Sequence, residues 1–127
     1  MNMRIVAVLT SLLFLTSCNT VPTAGQVIYA DYGNAITAAE CQSLAQAAIS
    51  SKLGDPNARI TFDAPCRRNW VRAIPESGIP IEYGYYQTGT YGVGNAEPND
   101  YYVLIRDGRA IRAGISEQVD QVIVWRP

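Results

Sequence analysis

The sequence predicts an α+β domain in which one N-terminal amphipathic helix packs on an antiparallel sheet of about five strands, as a two-layer sandwich. Three observations carry this expectation. Apolar residues recur at helical spacing between Ala38 and Leu53; after Gly54 and Pro56 the period shortens to two; and Asp107-Gly108 marks a tight turn between two strand-like runs.

The helix is the clearest element. Thr37 and Glu40 form a Thr-x-x-Glu capping box, and Cys41, Leu44, Ala45, Ala48, Ile49 and Leu53 share one face. Gly54 suits the left-handed stop, Pro56 blocks continuation, and Lys52 complements the negative end of the helix dipole. Val27-Ile28-Tyr29, ahead of the helix, fits either a short strand or a clasp over the core. In Ala58–Asp63, Ile60 and Phe62 point one way and Arg59, Thr61 and Asp63 the other. Further strands are expected at Asn69–Ile74 and Ile79–Tyr91, with a turn at Glu76-Ser77-Gly78. The hairpin pairs Tyr101–Arg106 with Arg109–Ile115, and a two-residue turn sets Leu104 opposite Ile111 and Tyr102 opposite Ala113. The last strand, Gln121–Arg126, is apolar on both faces and is expected to be well covered.

The first 26 residues have a different character. Arg4 precedes an apolar run from Ile5 to Leu15 broken only by Thr10 and Ser11, the layout of an export signal. The run is about half the roughly 20 apolar residues that a membrane span needs. It ends in Leu15-Thr16-Ser17-Cys18, which resembles the lipobox of bacterial lipoproteins. That resemblance implies removal of residues 1–17, acylation of Cys18 with a diacylglyceryl group and a further fatty acid such as palmitate, and a membrane partner held through lipid. Asn19, where lipoproteins kept at the inner membrane often carry aspartate, implies an outer-membrane destination facing the periplasm. Residues 18–26 then serve as a lipidated tether, and residues 27–127 as the single domain.

Composition bounds the rest. Without Arg4 the mature chain carries nine basic against eleven acidic groups, a net charge of −2, so nucleic-acid binding has no electrostatic support. Arg67, Arg68 and Arg72 are better explained as a solvated strand edge than as an anion site. Cys41 and Cys66 are the remaining cysteines of a chain addressed to an oxidising compartment, where such pairs form disulfides.

A second resemblance covers Leu53-Gly54-Asp55-Pro56-Asn57-Ala58-Arg59, with Tyr32-Gly33 upstream and Tyr102–Gly108 downstream. These segments look like a group of small bacterial lipoproteins and envelope domains whose helix ends in a Leu-x-Asp-Pro motif before a sheet. The resemblance implies a fold and no activity.

The chain has no histidine, which removes Ser-His-Asp and Cys-His catalysis and His-bearing zinc sites. No catalytic residue, metal site or cofactor is expected. Asp63, Glu76, Glu82, Glu97, Asp100 and Asp107 fall at turns and outward strand positions rather than as a facing pair. Asn95–Asp100 lacks the spacing of a calcium loop, and Gly89–Gly94 spells a hairpin loop rather than a phosphate cradle. The unusual feature is tyrosine, with six of the eight between Tyr83 and Tyr102. Packing within the sheet is the plain explanation. A contact surface for an envelope protein or glycan is the functional one, with Tyr86 and Tyr91 expected at the surface beside Asn95. The leading expectation is a non-enzymatic binding or scaffolding lipoprotein; the alternatives are an inhibitor or glycan-binding module and, more distantly, a carboxylate-based hydrolase.

Overall fold

The computed structural model describes residues 22–73 and 81–124; Cys18, the export segment and the turn expected at Glu76-Ser77-Gly78 lie outside the described residues. The elements run α1 (Ala24–Ile28), α2 (Ala38–Leu53), β1 (Arg59–Ile60), β2 (Arg67–Ala73), β3 (Glu82–Gly92), β4 (Asn99–Arg106), β5 (Arg109–Ile115), a 3-10 helix (Ser116–Gln121) and β6 (Val122–Val124). The chain is α+β, and every strand pair is antiparallel. The sheet runs β5-β4-β3-β2-β6, and β1 pairs with the far end of β3.

Local chemistry explains both ends of α2. Thr37 Oγ1 accepts from the Glu40 backbone N–H at 3.1 Å, while the Thr37 hydroxyl donates to Glu40 Oε1, so the expected reciprocal bond runs between side chains rather than to the Thr37 backbone. At the other end Gly54 adopts φ 67°, and the Gly54 and Asp55 N–H groups return to the Ser51 and Ser50 carbonyls. Asp55 Oδ1 then accepts from the Asn57 N–H at 2.8 Å and turns the chain toward β1. Cys41, Ala45 and Ile49 are fully buried. They form one core with Tyr91, Tyr101, Val103 and Ile105, against which Leu44, Ala48 and Leu53 also pack.

A second core lies among Val71, Tyr86, Tyr102 and Leu104, with Val119 and Val122 packed on it. On β4 the odd residues Tyr101, Val103 and Ile105 belong to the first core and the even residues Tyr102 and Leu104 to the second, the period-2 alternation of a strand covered on both sides.

Residues 59–73 track β3 from end to end. Between β1 and β2 the Thr61 and Asp63 N–H groups still bond to the Thr90 and Thr88 carbonyls. Close approach there depends on Gly89, where an added Cβ would overlap the Thr61 carbonyl oxygen. The Tyr101 hydroxyl, opposite Gly89 in the register, donates to that same oxygen at 2.7 Å. Cys66, at the entry to β2, is disulfide-bonded to Cys41 with Cα atoms 6.4 Å apart, tying the helix to this segment.

Several expectations change. Val27 and Ile28 are the end of α1, and Tyr29 is its C-cap; they form neither a strand nor a clasp, because Thr23 and Gln26 make a capping box that nucleates one short helix. The helix begins at Ala24, inside the stretch expected to be tether. The regular strand at 58–63 shrinks to two residues. Gly92, expected in a loop, belongs to β3. β6 begins after the 3-10 helix and lies at the edge of the sheet, with Val122 packed on the second core. The hairpin turn forms as expected, with Asp107 at φ 51° and Gly108 at φ 74°, but the register slips between Leu104 and Ile105: Leu104 faces Arg112, and Tyr102 faces Gly114. The extra residue is Ile111. The slip puts Arg112 within 2.5 Å of Glu82 and sends Ala113 and Ile115 toward the helix-side core.

Three variants check this architecture. Replacing Cys41 and Cys66 together by alanine should lower unfolding stability by about 3.5 kcal/mol for a loop of 25 residues, read by denaturant melts of oxidised parent against double variant; an unchanged midpoint would show that the bridge constrains nothing. Gly89→Ala should cost on the order of 3 kcal/mol through overpacking against backbone, whereas Gly25→Ala, with open space around it, should cost well under 1 kcal/mol.

Candidate functional site

Tyr86 is 6% and Tyr91 8% exposed, so neither stands at the surface as expected. They also belong to opposite sheet faces. Tyr86 stacks on Tyr102 with ring centroids 6.0 Å apart in the core beside the 3-10 helix. Tyr91 sits in the α2-side core and meets the Ser116 hydroxyl through its own. Residues separated by an odd number along a strand cannot share a face, which prevents a joint patch. Tyr83 meets Tyr32 edge-on at 5.6 Å, and the Arg68 guanidinium lies 5.4 Å from the Tyr32 ring centre. Four of the six tyrosines between Tyr83 and Tyr102 are buried as packing residues, namely Tyr86, Tyr91, Tyr101 and Tyr102.

Asn95 is exposed, in the loop joining β3 to β4. This loop has a built root. The Arg59 guanidinium donates to the Gly94 carbonyl at 2.5 Å, the Ala96 N–H returns to the Val93 carbonyl, and an added Cβ at Gly92 would collide with that guanidinium. Val93 through Asp100 are exposed as a continuous stretch.

At the opposite end of the β3–β4 pair lies an open groove of about 580 Å³, lined among others by Tyr29, Asp31, Glu82, Tyr83, Arg106 and Ile111. Arg106 organises it. Its guanidinium donates to the Asp31 carbonyl at 2.5 Å and to the Tyr83 carbonyl at 3.2 Å, and pairs with the Asp31 carboxylate at 3.1 Å. Asp107 Oδ1 accepts from the Asn34 N–H at 2.8 Å, and an added Cβ at Gly33 would meet Arg106 and Asp107. The Tyr32-Gly33 and Arg106-Asp107 segments singled out in the sequence are thus in contact. Tyr29, 87% exposed, and Ile28, 67% exposed, flank this end. Sequence reasoning missed them because it looked for aromatic residues where they are dense, and density in a strand signals packing.

Of the acids considered for hydrolysis, Asp63, Glu82 and Asp107 serve local structure. Asp63 accepts from Thr88 Oγ1, Glu82 pairs with Arg112, Asp107 caps the Asn34 N–H, and Glu97 and Asp100 are exposed. Glu76 lies outside the described residues. Among the described residues, no group of three or more His, Cys, Asp or Glu is placed to hold a metal ion, and no helix is long and apolar enough to cross a membrane. Comparison with protein families, with curated proteins and with solved structures finds no match.

Burial pushes four phenols up. For Tyr101 desolvation dominates and the Asp63 carboxylate adds to it; for Tyr102 desolvation dominates and outweighs Arg112; Tyr83 is raised by desolvation, and Tyr32 by desolvation and then by Tyr83. A phenol whose folded pKa exceeds its unfolded value of 10.0 contributes stability that is complete below pH 10 and lost as pH rises toward the folded value.

Alkaline titration followed at 295 nm should therefore show the Tyr101 and Tyr102 phenols ionising only with loss of native circular dichroism, and Tyr102→Phe should flatten the alkaline fall in stability. Ionisation of all eight tyrosines near pH 10 with the fold intact would contradict this burial. Arg106→Met should speed amide exchange at Gly33 and Asn34 by about tenfold or more while moving the global melt little, since the Asp31 carboxylate is exposed and its ion pair is worth under about 1 kcal/mol.

Proposed function

We propose that this chain is a lipid-anchored protein of the bacterial cell envelope whose domain binds or scaffolds another envelope component without catalysing a reaction. The observation that carries this reading is Leu15-Thr16-Ser17-Cys18 directly after a short apolar run. The Cys41–Cys66 disulfide supports an oxidising compartment, and Asn19 favours the outer membrane, with the domain facing the periplasm. We read the architecture as a two-layer sandwich, with α2 forming the layer on one sheet face.

On this reading the molecule has a polarity. The groove, α1 and the hairpin tip lie at the end where the tether enters. The exposed loop from Val93 to Asp100, carrying Asn95, lies at the other end of a strand pair whose β4 has 8 residues, about 26 Å at strand rise. A loop rooted by Arg59 and held that far from the anchor is where an envelope protein or glycan would be met. The inhibitor or glycan-binding alternative loses Tyr86 and Tyr91 as contact rings and would rest on this loop alone. The hydrolase alternative would need two free facing carboxylates, and the engagement of Asp63, Glu82 and Asp107 weighs against it.

Cys18→Ser should abolish labelling by a fatty-acid analogue and leave the precursor uncut; a variant that matures and partitions into detergent like the parent would sink the anchor. A photocrosslinking residue at Asn95 should capture an envelope component in intact cells, and the same residue at Gln46, on the exposed side of α2, should not. Equal capture at both positions would remove the loop as the contact surface.

A further inference from the structure

We infer that α1 and the bulged edge of the hairpin form a foot that rests on the bilayer, with Ile28, Tyr29 and Ile111 as the contacting side chains; this rests on lipidation of Cys18. The large exposed apolar residues of the described chain are Ile28, Tyr29, Val93 and Ile111. Val93 belongs to the far loop, whereas Tyr29 and Ile111 line the same groove and Ile28 adjoins Tyr29. The register slip leaves Ile111 as the unpaired extra residue, 39% exposed, where regular pairing would have set it opposite the buried Leu104. Bulges re-aim side chains in this way.

Chain length selects the occupant. Cys18 is six residues from Ala24, so even full extension keeps the start of α1 within about 20 Å of the lipid attachment. Five helical residues add about 7.5 Å. A tyrosine and aliphatic side chains at this height suit the membrane interface, where an amphipathic ring keeps its hydroxyl in water and its body in the headgroup region. Three side chains fall far short of the roughly 800 Å² per partner of a stable protein interface. They suffice against a bilayer, because the covalent lipid already makes the contact intramolecular.

The experiment uses full-length protein purified with its acyl chains and reconstituted in phosphatidylethanolamine–phosphatidylglycerol vesicles containing a brominated phospholipid. Tyr29→Trp and Gln46→Trp are compared after subtracting the parent emission from Trp70 and Trp125. The foot predicts blue-shifted emission at position 29, quenched at least threefold more than at position 46, with Ile111→Ser in the Tyr29→Trp background lowering the quenching. Mass spectrometry of the N-terminal peptide from the same preparation separates the failures. Acylated Cys18 with equal or absent quenching overturns the foot and leaves the anchor; unacylated Cys18 overturns both. Emission at position 29 that responds to soluble cell-wall saccharides instead of brominated lipid makes the groove a glycan site and overturns the foot. So does a detergent-solubilised dimer that Tyr29→Asp dissociates.

Discussion

Both faces of the β3–β4 pair are covered, and this constraint governs the rest of the molecule. An unbroken run from Tyr101 to Ile105 is buried, so successive side chains must fill two different cores. The pair cannot alternate polar with apolar residues as a half-exposed sheet does. Tyrosine answers this demand better than aliphatic residues where the strand needs area in the core and a polar tip at its edge. Tyr101 reaches across Gly89 to the Thr61 carbonyl, and Tyr102 lies over Gly114, where an added Cβ would strike its ring. Ring and glycine occupy opposite positions of one register in both cases.

From that pair the other elements take their places. α2 supplies the lid of one core, and the 3-10 helix with β6 supplies residues to the other. The junction between the two is Ser116, a non-glycine residue at φ 53°, whose hydroxyl meets the Tyr91 hydroxyl. That position costs energy for an L-residue, and the bond to Tyr91 helps to hold it. The disulfide does comparable work on the other side, fixing α2 to the chain that enters β2. An interrupted segment such as 59–66, with few ladder bonds of its own, gains most from a covalent neighbour.

What the sequence revealed follows from how far each signal reaches. The helix was readable because its cap, its stripe and its stop are all encoded within some 20 residues, and the Asp107-Gly108 turn because two adjacent residues decide it. The bulge at Ile111 was hidden, since the contacts it serves are distant in sequence: Arg112 meets Glu82 some 30 residues away, and Ala113 and Ile115 pack on the core under α2. The 3-10 helix was hidden too, as Ser116–Gln121 has too few apolar residues to show a period. The α1 capping box follows the same rule as Thr37 and Glu40, yet with five residues behind it there was no periodic face to draw attention. Tyrosine exposure could not be read at all, because a strand does not state how many of its faces are covered.

The same reasoning separates the two ends of the molecule. Residues that pack must be apolar, so an apolar side chain inside the cores carries no information about partners; one left exposed where the fold could have turned it inward does. Ile111 is such a residue. Without the bulge it would lie opposite Leu104 and join the core beside the 3-10 helix; with it, the ion pair of Arg112 and Glu82 forms and Ile111 shares a groove with Tyr29. Regular pairing would also set Arg112 opposite Val103 and turn Ala113 and Ile115 away from the helix-side core, so core packing itself favours the bulge and leaves this one aliphatic side chain outside it. That side chain is open to a contact outside the fold, and on the proposed anchoring the short chain back to Cys18 puts a lipid surface within reach of it.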